Sequence, residues 1–250
     1  MAFGVFIIGD EILSGKRQDK HLSKAIEILA ARGLALAWAQ YLGDDRSFIT
    51  DTLRRSFAGD DIVFSFGGIG ATPDDHTRQA AAAAGAVELH RHPDAVREIE
   101  ARFGADAYPK RIAMGEFPVG SEIIPNPYNR VPGFRFHRHH FLPGFPEMAW
   151  PMMQWVLDTL YPHLHRTLRE VDHAILVREA GESQLIDLMN ATVTRYPDLR
   201  LFSLPHIGDA ERHIELGVRG EPGRVVAAMA ELRTGVTCLG FPWTERPPLG

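Results

Sequence analysis

The chain has 250 residues, 45% hydrophobic and 24% charged, with 27 Lys and Arg against 32 Asp and Glu. This is long enough for one large domain or two unequal ones with a core that needs no disulfide or metal staple. The ordinary composition excludes collagen, coiled coil and disorder. A net charge of −5 gives no general reason to bind nucleic acid. The single cysteine, Cys238, excludes an internal disulfide. No apolar run approaches the roughly 18 residues of a membrane helix. With a start, Met1-Ala2-Phe3-Gly4, that lacks a basic leader, the expected setting is the cytoplasm, with neither nucleic acid nor membrane as partner.

The first part alternates buried strands with amphipathic helices. Phe3 to Ile8 is a β-prone apolar run ending at Gly9. Asp19 can cap a helix running to Gly33, with Leu22, Ala25, Ile26 and Leu29 on one face. Leu34–Leu42 reads as the next strand, and Asp45 caps a helix carrying Phe48, Ile49, Leu53 and Phe57. Asp61–Phe66 is a third strand, almost continuously apolar, as parallel strands covered on both faces are. Gly67-Gly68 breaks it and an alanine-rich helix runs to Gly85. Helices are predicted over about Pro93–Phe103 and from Pro146 to about Tyr161. Strand alternating with helix is the pattern of an open, mostly parallel, three-layer α/β fold.

The pattern changes near His165, so the expected domains are 1–165 and 166–250. Strand Val171–Val177, helix Glu182–Arg195, strands Leu199–Leu204 and His213–Arg219, helix Pro222–Arg233 and strand Val236–Phe241 follow in order. This βαββαβ order predicts a small ferredoxin-like α+β domain.

In an open parallel sheet, ligands bind outside the carboxyl ends of the strands. Three consecutive strand ends offer glycine followed by acid: Gly9-Asp10-Glu11, Gly43-Asp44-Asp45 and Gly67-Gly68-Ile69-Gly70-Ala71-Thr72-Pro73-Asp74-Asp75. Glycines 67, 68 and 70 let the backbone bring N–H groups to an anion, and the following helix aims its positive end at the same place. A phosphate or pyrophosphate is the natural guest. Asp74 and Asp75 would repel it, which argues for a divalent cation between them, since Mg²⁺ and Mn²⁺ prefer carboxylate and phosphate oxygens. A blander reading is that Asp75 caps the helix and Asp44 or Asp45 caps another. Glu11 is harder to explain that way, because no periodic helix starts beside it. The repetition across three strand ends favours the functional reading.

These residues resemble a known family. Gly9–Gly15, Gly43–Arg46, the Gly67–Asp75 loop with Thr77-Arg78, Pro125-Asn126-Pro127 with Pro132-Gly133-Phe134, and Leu142–Met148 look like the molybdopterin-binding (MoaB/Mog-like) domain, in the form that opens the competence/damage-inducible CinA proteins. The match runs from about Phe3 to Pro162. It implies a three-layer α/β fold binding molybdopterin or a nucleotide-like phosphorylated ligand. By motif position it implies Asp44 and Asp75 as functional acids. The ligand set becomes Gly9, Gly67, Gly68, Gly70, Thr72, Pro143 and Gly144, and the cation set Glu11, Asp44, Asp74 and Asp75. In the CinA branch it further implies hydrolysis of a pyrophosphate such as ADP-ribose with Mg²⁺, Mn²⁺ or Co²⁺. A binding or carrier protein with the same cleft and no turnover is the alternative. Long family members add an amidohydrolase domain, which is not expected in a chain of this length. Four departures surround the pocket: Ala71 for proline, Phe66 for a small hydroxyl residue, His21 for asparagine, and a segment Pro146-Glu147-Met148 one residue short.

Other candidates carry less. His137 and His139 would share a strand face at a metal-compatible spacing, but the stretch His137-Arg138-His139-His140 reads better as a solvated strand. Asn126, Tyr128, Asn129 and Arg130 could hold a ring or a phosphate, or simply make a turn. Gly67–Gly70 lacks the Gly-Lys-Ser/Thr of a P-loop. A homo-oligomer is expected from the family.

Overall fold

The fold is that of a computed structural model describing residues 2–166, 170–207 and 212–247. The chain divides into two compact units, Met1–His165 and Arg166–Gly250. In the first, β1 (Phe3–Ile8), α1 (Asp10–Leu13), α2 (His21–Ala30), β2 (Leu36–Leu42), α3 (Arg46–Phe57), β3 (Ile62–Phe66), α4 (Thr77–Ala84), β4 (Leu89–Arg91) and α5 (Pro93–Phe103) follow in order. Then come β5 (Glu116–Pro118), β6 (Glu122–Ile124), β7 (Gly133–Phe136), β8 (His139–Leu142) and α6 (Pro146–Leu160). The main sheet has the order β2-β1-β3-β8-β7-β6. β2, β1, β3 and β8 are mutually parallel, while β7 and β6 extend the sheet antiparallel.

Alternation along β1 makes the layers. Phe3, Val5 and Ile7 pack with Ala25, Ile28 and Leu29 of α2 and with Met152, Met153, Val156 and Leu157 of α6. Phe6 and Ile8 face the other way, onto Ile49 and Leu53 of α3, Ala80 and Ala81 of α4 and Ala95 of α5. Both faces of β1 and β3 are therefore covered, which is why these strands are buried at every position and nearly all apolar, Ser65 excepted. Asp19 accepts from the N–H groups of His21 (2.7 Å) and Leu22 (3.1 Å), opening α2 as its position predicts.

The histidine stretch is solvated only at His137 and Arg138. His139 and His140 are buried, because β8 is an interior strand between β3 and β7. His139 Nε2 lies 2.7 Å from Ser56 Oγ, and burial pulls its pKa down to about 3, with charge on His137 adding to the effect. His140 Nε2 meets the Tyr161 hydroxyl at 2.9 Å. His137 sits in the β7–β8 turn at φ 54° and stacks on Phe57 (4.7 Å), off the strand face that would have paired it with His139 for a metal.

The second unit has β9 (Val171–Arg178), α7 (Glu182–Arg195), β10 (Arg200–Ile207), β11 (Arg212–Gly220), α8 (Pro222–Cys238) and β12 (Trp243–Glu245). Its antiparallel sheet has the order β10-β11-β9-β12, with a core that joins Ile175, Val177, Leu216 and Val218 to both helices. The expected final strand over Val236–Phe241 is wrong. α8 runs on to Cys238 because Val225, Met229, Leu232 and Val236 keep one buried face at spacings of four, three and four. β12 starts only at Trp243.

Candidate functional site

Four parallel strands end on one side of the sheet, and their exits build the site. The sheet ladder continues one residue past two of them: Gly9 N–H donates to Leu42 O (3.0 Å) and Gly67 N–H to Leu142 O (3.0 Å). The amides of Gly9 and Gly67 are thus committed to the sheet and not free for an anion. Gly67, at φ 104°, lies so close to β1 that a Cβ would overlap Ile8 O. A Cβ at Gly144 would come within 3.5 Å of the Gly67 Cα, so the turn after β8 rests on the turn after β3.

Two buried side chains hold the glycine loop from behind. Thr77 N–H donates to Gly68 O (2.9 Å) and its hydroxyl to Gly67 O (3.1 Å). Arg78 donates to Gly70 O (2.7 Å), to Glu116 O (3.3 Å) and to Ala113 O, and is 3% exposed. With these carbonyls engaged, no acceptor among the described residues meets the amides of Gly68, Ile69, Gly70 or Ala71. Four consecutive unpartnered N–H groups, with the buried Arg78 guanidinium behind them, are donors of the kind an anion site uses. Asp75 is not the cap of α4, since His76 immediately precedes that helix. Its Oδ2 accepts from Thr72 N–H (2.8 Å) and from the Thr72 hydroxyl, and so closes the loop.

The other acids divide their work. Asp45 caps α3 by accepting from Phe48 N–H (2.6 Å). Asp44 instead meets Asp10: Asp10 N–H donates to Asp44 Oδ2 (2.8 Å) and Asp44 N–H to Asp10 Oδ1 (3.1 Å), locking the first two turns together. Desolvation pushes the Asp44 carboxyl above its ordinary value. The Asp10 amide partly offsets this, and the charges of Asp10, Glu11 and Asp74 add to it. Glu11, expected beside no helix, lies in the one-turn α1, loosely paired with Arg17 at 3.8 Å.

The eleven candidate residues come together. Gly9, Glu11, Asp44, Gly67, Gly68, Gly70, Thr72, Asp74, Asp75, Pro143 and Gly144 all line one cleft of about 480 Å³. Among the described residues, no three His, Cys, Asp or Glu side chains converge as a ready cation site. Sequence reasoning missed Asp10 as the partner of Asp44, although it stands between two residues singled out. It also missed Arg17 and Phe145, which line the cleft without any spacing that would announce them. Asn126 and Asn129 both line the wall and also build the turn. Asn126 Nδ2 donates to Asn129 Oδ1 (2.8 Å) and Val131 O (2.9 Å), while Arg130 turns away to Glu98 (2.7 Å).

Parallel strand ends, a glycine loop and acids gathered at one edge of the sheet define a three-layer α/β class with its cleft at the carboxyl ends of the strands. Residues 4–165 match the model of the probable molybdopterin binding domain, and the chain belongs to that family. It is 33% identical over 186 residues to a CinA-like protein of Anaeromyxobacter sp. (strain K), covering 71% of this chain and 45% of that one. It is 30% identical over 245 residues to a CinA-like protein of Thermomicrobium roseum, covering 89% and 60%. The chain thus spans about half the length of these relatives. The crystal structure of CinA from Thermoplasma acidophilum superposes with a TM-score of 0.58 at 25% identity, over 63% of this chain and 98% of that one. No helix among the described residues is long and apolar enough to cross a membrane.

Proposed function

We propose that the cleft binds a phosphorylated pterin- or nucleotide-like ligand and hydrolyses a pyrophosphate, such as that of ADP-ribose, with the help of a divalent cation. The observation that carries this reading is the row of four unpartnered amides, Gly68 to Ala71, in the same cleft as the strand-end acids. The donor set suits Mg²⁺, Mn²⁺ or Co²⁺: the acids are hard oxygen ligands, and their mutual repulsion at Asp44 is what a cation relieves. Because no three acids converge, one or two of Glu11, Asp44, Asp74 and Asp75 would share the cation with phosphate oxygens and water, as Mg²⁺ usually is shared. The bound cation would neutralise charge on the phosphate under attack. The chain's own part is to seat the pyrophosphate on the amides of Gly68–Ala71 and to orient a water. Where Glu11, Asp74 or Asp75 holds the cation, Asp44 is placed to take the water's proton as the water oxygen bonds to phosphorus and the bridging oxygen leaves with its electron pair.

Hydrolysis of ADP-ribose and FAD, with and without each metal, tests the reading. Asp44→Asn keeps an oxygen for the Asp10 amide and removes the charge, so turnover should fall about 100-fold or more. Asp44→Asn or Asp75→Asn turning over as the unsubstituted protein does would refute the catalytic roles. A second reading, binding without turnover, is favoured by the absence of three convergent acids among the described residues. Tight, cation-dependent binding with no product would select it.

A further inference from the structure

A cavity of about 310 Å³ opens between β2 and the C-terminal half of α3, and it shares no residue with the strand-end cleft. Its floor is aromatic: the Phe6 and Trp38 rings lie 5.2 Å apart at 56°. Trp38 is fixed from two sides. Its ring lies across Gly4, where a Cβ would overlap it, and its Nε1–H donates to Asp61 Oδ2 (2.9 Å). Asp61 Oδ1 accepts from Ala2 N–H (2.7 Å), so both oxygens of this acid already hold a donor. Those bonds, the one from Trp38 foremost, keep the Asp61 carboxyl below its ordinary pKa.

Two donors at the wall are unused. Arg55 is exposed, and its one partner among the described residues is Thr52 Oγ1 at 3.4 Å, a long contact. Ser56 Oγ lies 2.7 Å from Nε2 of the neutral, buried His139, whose Nδ1 meets no partner among the described residues. A buried N–H without an acceptor is harder to sustain than a bare lone pair, so the His139 proton sits on Nε2 and is donated to Ser56. The Ser56 hydroxyl hydrogen is then left to donate, and no acceptor for it stands among the described residues.

We propose that this cavity binds a small aromatic carboxylate, with its ring on Trp38 and Phe6 and its carboxylate on the Arg55 guanidinium and the Ser56 hydroxyl. A flat apolar floor with a few convergent polar groups is what small-molecule sites combine. The indole face and edge hold a ring by stacking or edge contact. A guanidinium fork and a hydroxyl answer the two oxygens of one carboxylate. Arg55 supplies the single charge that a monoanion needs, whereas a phosphate dianion would bring a second charge to face Asp61.

Benzoate and benzamide, titrated into the full chain at neutral pH, test this, since they share a ring and differ in charge. Indole N–H signals in ¹⁵N–¹H NMR report the site, and Trp38→Phe identifies the Trp38 signal. Benzoate should shift that signal and bind about tenfold tighter than benzamide, the difference a charge-assisted hydrogen bond makes. Arg55→Gln, at an exposed position, should erase the preference and leave benzamide affinity within about twofold. Ser56→Ala should weaken benzoate about fivefold. Equal binding of the two probes, benzoate affinity that neither variant lowers, or shifts that spare the Trp38 indole would overturn the proposal. The strand-end cleft takes no part, so each outcome leaves the phosphate reading as it stands.

Discussion

Replacing Gly67 or Gly68 by alanine separates two reasons for having glycine in the cradle. Gly67 has φ 104°, outside the left-handed well that side chains tolerate, and its Cβ would overlap Ile8 O, with Ile8 C at 3.2 Å. Ile8 is the last residue of a buried central strand and cannot yield. The backbone conformation costs about 1–2 kcal/mol and the overlap about 1–3 kcal/mol. Gly68 sits at φ 69°, within the left-handed region, and its Cβ would strike the Thr77 hydroxyl. Alanine there costs about 1 kcal/mol for the conformation and about 1 kcal/mol for the Thr77–Gly67 hydrogen bond that must break. Gly67→Ala should therefore lose about 2–5 kcal/mol, the larger loss, and Gly68→Ala about 2 kcal/mol. Urea unfolding followed through Trp38, Trp150 and Trp155 of the first unit reads both. Gly68→Ala proving as costly as Gly67→Ala, or both variants lying within 0.5 kcal/mol of the parent, roughly a surface substitution, would refute this account of the loop.

Three further outcomes follow from the same geometry. Because the folded state holds Asp44 above its ordinary pKa, its ionised form is penalised, and its contribution to cation-free stability improves as pH falls through that raised value. Asp44→Asn should accordingly raise the melting temperature without cation by roughly 1–3 °C and weaken any stabilisation by Mn²⁺ in thermal shift. His139 behaves differently: its folded pKa of about 3 lies below its unfolded value of 6.5, so stability falls as pH drops below about 6.5. The loss should reach roughly 4 kcal/mol near pH 3, and the pH profile of urea midpoints for His139→Gln should be flatter across that window. Arg78→Lys keeps the charge but cannot span three carbonyls. It should cost about 2–4 kcal/mol in urea unfolding and weaken AMP binding in calorimetry.

How much of this was legible in the residues depended on the range of the signal. β1 and β3 announce themselves because both faces are buried, so nearly every position is apolar. The strand-end acids follow from the rule about carboxyl ends. The short strands β4 to β8 carry only three or four residues each, too few for a period, and the main sheet's antiparallel extension was not read. The same blindness put His139 and His140 in solvent: a histidine reads as polar until the strands on either side of it are known. Val236-Thr237-Cys238-Leu239 looks like a strand locally, yet Val236 extends the buried stripe of α8, a longer pattern that outweighs β propensity. Within the site, glycines and acids were readable as types. Which amides remain free was not, because the ladder past Leu42 and Leu142 consumes those of Gly9 and Gly67 and spares the next four. Likewise Asp44 and Asp45 are equivalent as sequence, and only the approach of Asp10 separates cleft from cap.

A crystal soaked with ADP-ribose and Mn²⁺ puts the central claim to its most direct test. The account predicts phosphate oxygens within hydrogen-bond distance of the Gly68–Ala71 amides. It also predicts an anomalous manganese peak touching the phosphates and at least one of Glu11, Asp44, Asp74 and Asp75. Nucleotide bound elsewhere, or manganese on acids outside this cleft, would contradict it.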